Sequence, residues 1–548
     1  KKRKSNVEET GYSSEYTSTT KNTRNSKRRN SRRIVGIAGR FCGEKIAASV
    51  NCTIKNILVL EGVASPSHHI FLGTLNTALA ARGYNVTSLC AEDEKNSENL
   101  TYLPLDQVYQ VMYNASNPEF DMQIDFFEMG DKSPLEQYME ADLFYKMTLA
   151  GIFQSNGYQQ LKNYPKDFKF DLIINDHLMG PMLLPFVHHF NYPPLIGVTA
   201  FHSASTGYSI LGSTFYPSFL TVSYFDIDIS TFFGRIYNFL LTHFEWVFMK
   251  YYITPELDKM IRPEFPDSPY LDDLMPLHKI IMNNKHPAVD VSEPTLPGLI
   301  SIGGMQIQQP KPLPADLQDI LDGAENGVIL FSLGSNIQSS ELGEKRLREI
   351  LETLRQLPKY TIVWKFEAED FPFEIPKNNT ILFITHGGLL THKNTILFIT
   401  HGGLLSTQEA TWYGVPLLNL PIFADQANNA RISKAAGVGE IYNIRTVERK
   451  SFLEAILNVL EDPKYRKNSQ IRSKNFQDQP QMPLDRAIWW IEWILRNPDV
   501  SHLRSPSLDI NIPQRHSIDI IAFLTVACFL WVLLTLWMTR KHSAGEDA

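Results

Sequence analysis

The residues most suited to chemistry lie at a junction between a predicted strand and a predicted helix. The strand leads to His401, Gly402 and Gly403, and the helix is predicted to begin near Ser406. Glycines at such a junction let backbone N–H groups approach a phosphate, and the helix dipole adds positive potential there. His401 can donate a hydrogen bond to the same anion. The junction therefore predicts a phosphate-binding site.

Three further side chains near this junction are suited to binding sugars. Glu409 lies one turn into the predicted helix, where its carboxylate can accept hydrogen bonds from ribose hydroxyls. Asp425 and Gln426 follow the next predicted strand and can hold the hydroxyl groups of a sugar. The spacing therefore predicts that a phosphate, a ribose and a sugar share one site.

Short apolar runs that alternate with helical patterns must position these residues. Asn56–Glu61 is predicted to be a strand, Ile70–Arg82 a helix, and Asn85–Cys90 a second strand. The same alternation returns at Gly327–Leu333, and a further strand-like run ends just before Asp176. Because this order is typical of parallel sheets with crossover helices, the predicted fold class is α/β.

The chain is predicted to contain two lobes and a separate C-terminal part. Residues 51–306 form the N-terminal lobe and 315–478 the C-terminal lobe. Between them, 307–314 is a linker that three prolines make semi-rigid. Residues 479–517 are predicted to form a tryptophan-rich helix and a stalk.

The block that contains the glycine junction resembles the signature of the UDP-glycosyltransferases. Its wording THGG, STQEA, GVP and FADQ is closest to animal, and especially insect, members. Phe331–Ser335 resembles the family's Gly-Ser loop, so Gly334 and Ser335 are implied to approach the donor diphosphate. The resemblance covers most of residues 55–540. It implies a GT-B fold, with two Rossmann-like lobes facing a cleft, the acceptor in the first lobe and the UDP-sugar in the second, plus one C-terminal transmembrane helix.

The resemblance also implies a catalytic pair. Ser67-His68 before an apolar helix matches the family's catalytic histidine, which is His68, and Asp176 matches the aspartate that orients it. An acceptor hydroxyl loses its proton as it attacks the anomeric carbon, and histidine is a suitable general base. A carboxylate fixes the tautomer of that histidine and stabilises the imidazolium. His69 is left open as the alternative base.

The implied reaction is inverting transfer of a hexosyl group from a UDP-sugar to hydroxyl groups of small lipophilic acceptors. Glucose is favoured over glucuronate as the sugar. The UDP-sugar is a co-substrate, and neither a cofactor nor a metal is expected. Homo- or hetero-oligomers are left open.

An internal repeat departs from the family pattern. Asn379–Leu390 and Asn394–Leu405 both read NTILFITHGGLL. Family members carry a Trp-x-Pro-Gln segment shortly before the His-Gly-Gly, whose tryptophan stacks on uracil, but the first copy occupies that slot here. Asn394 stands where an equivalent of Glu409 would follow His386, so His386 is not expected to bind phosphate. The alternative function is therefore an impaired or non-catalytic homologue.

Charge separates the N-terminal end from the rest of the chain. Residues 1–45 carry a net charge of +9, whereas the remainder carries −16. The acidic body argues against a nucleic-acid partner. Residues 1–50 are predicted to be a basic disordered extension, because they contain few large apolar residues. Four cysteines without a C-x-x-C pair argue against a zinc site built on thiolates.

The C-terminal end predicts a membrane anchor. Ile520–Met538 has no charged residue and nearly the length needed to cross the hydrocarbon core of a bilayer. A transmembrane helix is predicted over 518–539, followed by a cytosolic tail over 540–548. The resemblance places the protein in the endoplasmic reticulum membrane, single-pass, with a lumenal body. A signal peptide is not visible in this chain, so a tail-anchored cytosolic body is the alternative.

Overall fold

The computed structural model describes two parallel sheets and the helices that cover them. The described residues are 55–113, 125–165, 167–202, 205–222, 225, 227–310, 312–367, 371–374, 381–384 and 389–546. The predicted extension over 1–50 lies outside the described residues.

Seven parallel strands build the N-terminal sheet. They are β1 (Asn56–Leu60), β2 (Asn85–Cys90), β3 (Leu100–Pro104), β4 (Leu172–Asp176), β5 (Leu195–Thr199), β6 (His278–Asn283) and β7 (Leu299–Ser301). Their order across the sheet is β3-β2-β1-β4-β5-β6-β7. In β1, Ile57 and Val59 pack into one apolar cluster and Leu58 and Leu60 into another. The sheet is therefore covered on both faces, as continuously apolar parallel strands require.

Six parallel strands build the C-terminal sheet. They are β8 (Val328–Ser332), β9 (Thr361–Lys365), β10 (Ile381–Ile384), β11 (Thr395–Thr400), β12 (Leu417–Asn419) and β13 (Gly439–Ile441). Their order is β10-β9-β8-β11-β12-β13. The two copies of the repeat thus form two different strands, the edge strand β10 and the central strand β11. The prediction of an α/β fold is confirmed.

Helices connect the strands and cover both sheets. In the N-terminal half they are α1 (Pro66–Ala81), α2 (Val108–Tyr113), α3 (Phe126–Met129), α4 (Pro134–Gln154), α5 (Asn156–Lys162), α6 (Pro185–His189), α7 (Ser205–Ile210), α8 (Phe232–Phe248), α9 (Thr254–Ile261) and α10 (Leu271–Leu274). In the C-terminal half they are α11 (Ala315–Asp322), α12 (Glu344–Leu354), α13 (Leu404–Tyr413), α14 (Gln426–Ala435), α15 (Arg449–Glu461), α16 (Pro463–Gln477), α17 (Pro483–Arg496), α18 (Ile512–Arg515) and α19 (Ile518–Glu546).

The chain returns to the N-terminal sheet after α16. Ile488 and Ile491 of α17 are buried in the same apolar cluster as Leu72 and Leu75 of α1. This packing explains the apolar stripe of α17, because the stripe is the face that contacts α1. Helix α17 therefore packs on the N-terminal half although it follows the C-terminal half in the chain.

The last described helix contains one candidate membrane span. Within α19, Ile518–Arg540 is long and apolar enough to cross a bilayer, and none of this stretch is buried against the rest of the protein. Complete exposure separates it from a core helix, which would bury its apolar side chains. The chain thus has a C-terminal segment suited to anchoring it in a membrane.

Candidate active site

His68 and Asp176 meet at the carboxyl ends of the strands of the N-terminal sheet. Helix α1 begins at Pro66, one turn earlier than predicted, so His68 lies in the first turn of the helix. Asp176 is the last residue of β4. The distance from His68 Nδ1 to Asp176 Oδ2 is 2.5 Å, and the second carboxylate oxygen accepts a hydrogen bond from the backbone N–H of Leu178 at 3.2 Å. Both side chains are almost completely buried. The carboxylate therefore orients the imidazole ring.

The second ring nitrogen of His68 is buried but, within the part of the chain that the structure describes, has nothing to bond to. His68 Nε2 has no hydrogen-bond partner among the described residues. The ring lies on the wall of two neighbouring cavities, one of about 410 Å³ and one of about 460 Å³. Phe201 contacts the ring edge-on at 5.0 Å between centroids and lines both cavities as well. A proton acceptor at Nε2 is thus available where the two cavities meet.

His69 points in a different direction. Its Nδ1 lies 2.9 Å from Glu61 Oε2, and its Nε2 lies 3.4 Å from Glu94. Burial alone would lower the pKa of His69, but the hydrogen bond and charge of Glu61 outweigh it and raise the pKa. Neither cavity is lined by His69. Among the two histidines left open by the sequence, the structure places His68 beside the cavities.

The first cavity, of about 410 Å³, gathers the glycine-rich loops of the C-terminal half. Gly334 follows β8 with a φ of +85°, a conformation that glycine adopts without strain. The His401 ring lies between Gly334 and Gly403, and a Cβ on either glycine would clash with it. Gly403 is also the N-cap of α13, so the helix N-terminus points towards this cavity. Only glycine therefore fits at these two positions, and glycine also lets backbone N–H groups approach an anion.

Most of the remaining predicted donor residues line this first cavity. Ser335, Ser406, Glu409, Asp425 and Gln426 all lie on its wall. Gly402 lies just behind, and its carbonyl accepts a hydrogen bond from Asn429 at 3.0 Å. Residues spaced over about 90 positions of sequence are thus brought to one cavity by the shared carboxyl edge of parallel strands.

The second cavity, of about 460 Å³, is mainly apolar. Most of its wall comes from the N-terminal half, and the rest comes from the segment that precedes α19 and from Asn336, Phe423 and Ala424 of the C-terminal half. Aromatic and methionine side chains dominate the part nearest α4 and α8, including Tyr138, Phe144, Tyr145, Trp246 and Met249. Such a cavity suits a small apolar ligand.

The comparisons with known proteins agree with this geometry. The family model described as UDP-glucoronosyl and UDP-glucosyl transferase matches residues 64–543. The chain belongs to the UDP-glycosyltransferase family. It is 31% identical over 505 residues to UDP-glycosyltransferase UGT4 of Dactylopius coccus, a match that covers 89% of this chain and 94% of that protein. It is 27% identical over 515 residues to rat UDP-glucuronosyltransferase 2B17, covering 88% and 94%.

Solved structures share the fold of this UDP-glycosyltransferase. The glycotransferase of kitacinnamycin is 17% identical, with a TM-score of 0.53 over 81% of this chain and all of that one. The spinosyn forosaminyltransferase SpnP is 14% identical, with the same TM-score and coverage. The predicted GT-B fold, the family and the glycosyltransferase activity that goes with it are confirmed. A UDP-sugar donor and an acceptor are accordingly its substrates.

Two side chains at the cavities of this transferase were missed by the sequence reasoning. Lys365, the last residue of β9, hydrogen-bonds the carbonyl of Gly334 and lines the first cavity. Asn336 exchanges hydrogen bonds with Ser65, the N-cap of α1, and so joins the Gly-Ser loop to the helix that carries His68. The signal for Lys365 was its place at a strand end on the same sheet edge, whereas no local signal pointed to Asn336.

Three polar groups of the first cavity differ in how much they leave for a ligand. Gln426 uses its amide oxygen to accept from the backbone N–H groups of Ile422 and Phe423, so its amide nitrogen is what remains for a sugar. Asp425 accepts from Asn429 at 2.8 Å, and burial raises the pKa of its carboxyl. Burial, and then the charge of Lys365, lowers the pKa of His401 to about 4. His401 is therefore neutral at pH 7, so it can offer a ligand a hydrogen bond but not a positive charge.

Because Glu409 is partly buried, replacing it by glutamine is expected to raise the unfolding free energy in a pH-dependent way. Burial raises the pKa of Glu409 to about 7, from 4.5. The folded protein thus binds a proton that the unfolded chain releases, and stability falls as the pH rises from about 4.5 to about 7. At pH 8 the folded protein has to bury the Glu409 charge, so Glu409→Gln should raise the unfolding free energy. Because Glu409 is only partly buried, we expect a gain of about 1–3 kcal/mol. At pH 4.5 the substitution should change the unfolding free energy little. Denaturant unfolding in detergent at both pH values measures the effect.

The control is Glu454→Gln, which removes an exposed carboxylate on α15. It should leave the unfolding free energy within about 0.5 kcal/mol of the parent. Equal effects of the two substitutions at pH 8 would contradict the role assigned to burial at Glu409.

Proposed function

We propose that this transferase moves a hexosyl group, with inversion, from a UDP-sugar to a hydroxyl group of a small lipophilic acceptor. His68 is the proposed general base and Asp176 the residue that positions it. One observation carries the proposal: His68 lies on the wall that the two cavities share, with Nε2 free of partners among the described residues. A base placed there can take the proton of an acceptor in one cavity as it attacks a sugar in the other.

The proposed displacement follows from the positions of the two cavities. The acceptor oxygen approaches the anomeric carbon from the side of His68 and forms the new glycosidic bond. The bond to the diphosphate oxygen breaks on the opposite face, and UDP leaves towards the Gly-Ser loop. The proton goes to His68 Nε2, and the Asp176 carboxylate stabilises the resulting imidazolium. Attack and departure on opposite faces invert the anomeric configuration.

Backbone groups and one cation are proposed to hold the donor. The N-terminus of α13 and the Gly334 loop supply N–H groups for the diphosphate, and Lys365 supplies a positive charge beside that loop. The chemistry so described needs no metal or other cofactor. The proposed donor-binding residues are Gly334, Ser335, His401, Gly402, Gly403, Ser406, Glu409, Asp425 and Gln426.

The walls of the cavities favour particular substrates. The aromatic lining of the second cavity favours lipophilic acceptors. Among the described residues that line the first cavity, Lys365 is the single Lys or Arg, and it is bonded to the diphosphate loop. Asp425, at the proposed sugar end, would repel the carboxylate of glucuronate. Glucose is therefore the proposed donor sugar.

A membrane location is part of the proposal. Arg540, at the end of the candidate span, favours a cytosolic tail by the positive-inside rule, and hence a lumenal body in the endoplasmic reticulum. Glycosylation of N-x-Ser/Thr sequons such as Asn99-Leu100-Thr101 can be read from the mobility shift after endoglycosidase treatment. The absence of a shift would contradict the lumenal body.

One observation favours the alternative of an impaired homologue. Leu390, the last residue of the first repeat copy, and Thr391, which follows it, line the first cavity. No tryptophan lies on that wall among the described residues, although the family pattern places one against uracil. Stacking of a base on an aromatic ring is worth about 1–3 kcal/mol. Weak UDP binding without transfer is the behaviour that this alternative predicts. His386 lies outside the described residues.

Transfer by the purified full chain in detergent tests the proposal. A small phenol is offered with UDP-glucose or UDP-glucuronate, product is measured by mass spectrometry, and its anomeric configuration by NMR. We expect a β-glucoside, formed from UDP-glucose at least about tenfold faster than the glucuronide. Retention of the α configuration would overturn the mechanism. Binding of UDP without transfer of either sugar would establish the alternative.

A further inference from the structure

Helix α8 buries mostly polar side chains and exposes mostly apolar ones. Three of its four buried residues are Asn238, Thr242 and Glu245. Asn238 donates to the backbone carbonyls of Pro217 and Leu220 and accepts from the N–H of Val222. These contacts attach the helix to the N-terminal half through its polar face. The pattern is the reverse of a surface helix of a water-soluble protein.

The outward face of α8 and the turn after it is aromatic and aliphatic. Exposed fractions reach 79% for Phe233, 64% for Tyr251 and 59% for Leu240. The other exposed apolar residues of this face are Phe232, Ile236, Tyr237, Phe239, Phe244, Val247 and Tyr252. We call these ten residues the α8 surface. Apolar patches of this extent mark contact with a protein or a membrane.

The charges near the α8 surface suit a lipid headgroup region. Glu245 is the one acidic residue between Phe232 and Tyr252, and it is buried. Arg235 and Lys250 are basic and lie towards either end of the surface, and Lys250 also pairs with Asp272 at 3.0 Å. Tyrosines and phenylalanines beside basic residues are typical of helices that lie in the membrane interface.

The candidate membrane span begins close to this surface. The segment before α19 is attached to the N-terminal half, because Ser507 donates to the carbonyl of Gly212 at 2.6 Å. Ile512 and Arg515 of α18 line the same cavity as Trp246 of α8. Two residues, His516 and Ser517, lie between Arg515 and the start of α19, so the span begins within about 11 Å of that cavity wall. The bilayer that holds α19 is thus within reach of α8.

We propose that the α8 surface lies in the membrane interface beside α19. The occupant of this apolar face is lipid and not a second protein, since the candidate span brings the bilayer to it. The second cavity, which Trp246 and Met249 line, then lies next to the membrane, where lipophilic molecules concentrate. Delivery of acceptors by this route rests on the proposed function, whereas contact of the α8 surface with lipid does not.

A fluorescent label on the α8 surface tests the contact. The full chain is reconstituted in phosphatidylcholine vesicles that contain a doxyl-labelled phospholipid. An NBD label is attached at Leu240→Cys, in a chain whose accessible native cysteines are replaced by serine and whose Cys90 stays buried in the core. The matched control is Ile471→Cys, which replaces a similarly exposed apolar residue on α16. Thermal unfolding and UDP binding verify that both labelled proteins are folded.

The expected result is a difference between the two positions. The label at residue 240 should emit at shorter wavelength and lose more than about half of its intensity to the doxyl lipid, as a group about 5–10 Å into the interface would. The label at residue 471 should keep most of its intensity. Emission of a water-exposed label at residue 240 would overturn the proposal. So would a blue-shifted emission that the doxyl lipid does not quench, because that outcome indicates a protein partner.

Discussion

Replacing His68 by alanine is expected to lower kcat for glucosyl transfer by about 1,000-fold, the usual contribution of a general base. The side chain removed lines both cavities, and its Nε2 has no hydrogen-bond partner among the described residues. UDP binding should change by less than about threefold, since the diphosphate loops lie on the other half of the molecule. Initial rates with UDP-glucose and a phenol, together with titration calorimetry of UDP, separate the two quantities.

The matched control for this experiment is His69→Ala. His69 is the neighbouring residue on the same helix, but it is bonded to Glu61 and lines neither cavity. Its loss should lower stability, because Glu61 is buried, and reduce kcat by no more than about tenfold. If folded His69→Ala loses as much activity as folded His68→Ala, the assignment of the base is wrong.

Replacing Asp176 by asparagine is expected to lower kcat by about 100- to 1,000-fold with little change in the KM for the donor. The new amide oxygen would keep the hydrogen bond from the N–H of Leu178. The amide nitrogen would then face His68 Nδ1 as a donor, whereas the carboxylate accepts there. The ring would be held with its proton on Nε2, the atom that has to accept the acceptor's proton. A separate loss of kcat identifies a role in catalysis as opposed to folding.

Asp171→Asn is the control for the Asp176 substitution. Asp171 lies just before the other end of β4 and pairs with Lys55 at 3.1 Å. The substitution removes the same charge next to the same strand, at a partly exposed ion pair, so kcat should stay within about twofold. Equal losses in the two variants would indicate that the effect is structural and would contradict the positioning role.

The elements of the fold were largely predictable because their signals are local. The predicted strand Asn85–Cys90 coincides with β2, and the glycine-rich junction does lie between β11 and α13. The predicted start of the first helix at Ile70 was wrong by one turn. Apolar periodicity begins at Ile70, but the helix begins at Pro66, whose ring suits a first turn. The domain boundaries, the catalytic and donor-binding residues and the extension over 1–50 stay predictions.

The sequence alone determined the α/β class, the family and the presence of an apolar C-terminal segment. These follow from periodicity, glycine spacing and uninterrupted hydrophobicity, which are properties of neighbouring residues. Only the tertiary structure decided that His68 and not His69 faces the cavities, because the start of α1 sets which side chain points there. It also decided that α8 turns its apolar side outward, since the partners of Asn238 are distant in the chain. Orientation depends on contacts between remote segments, and local pattern does not contain them.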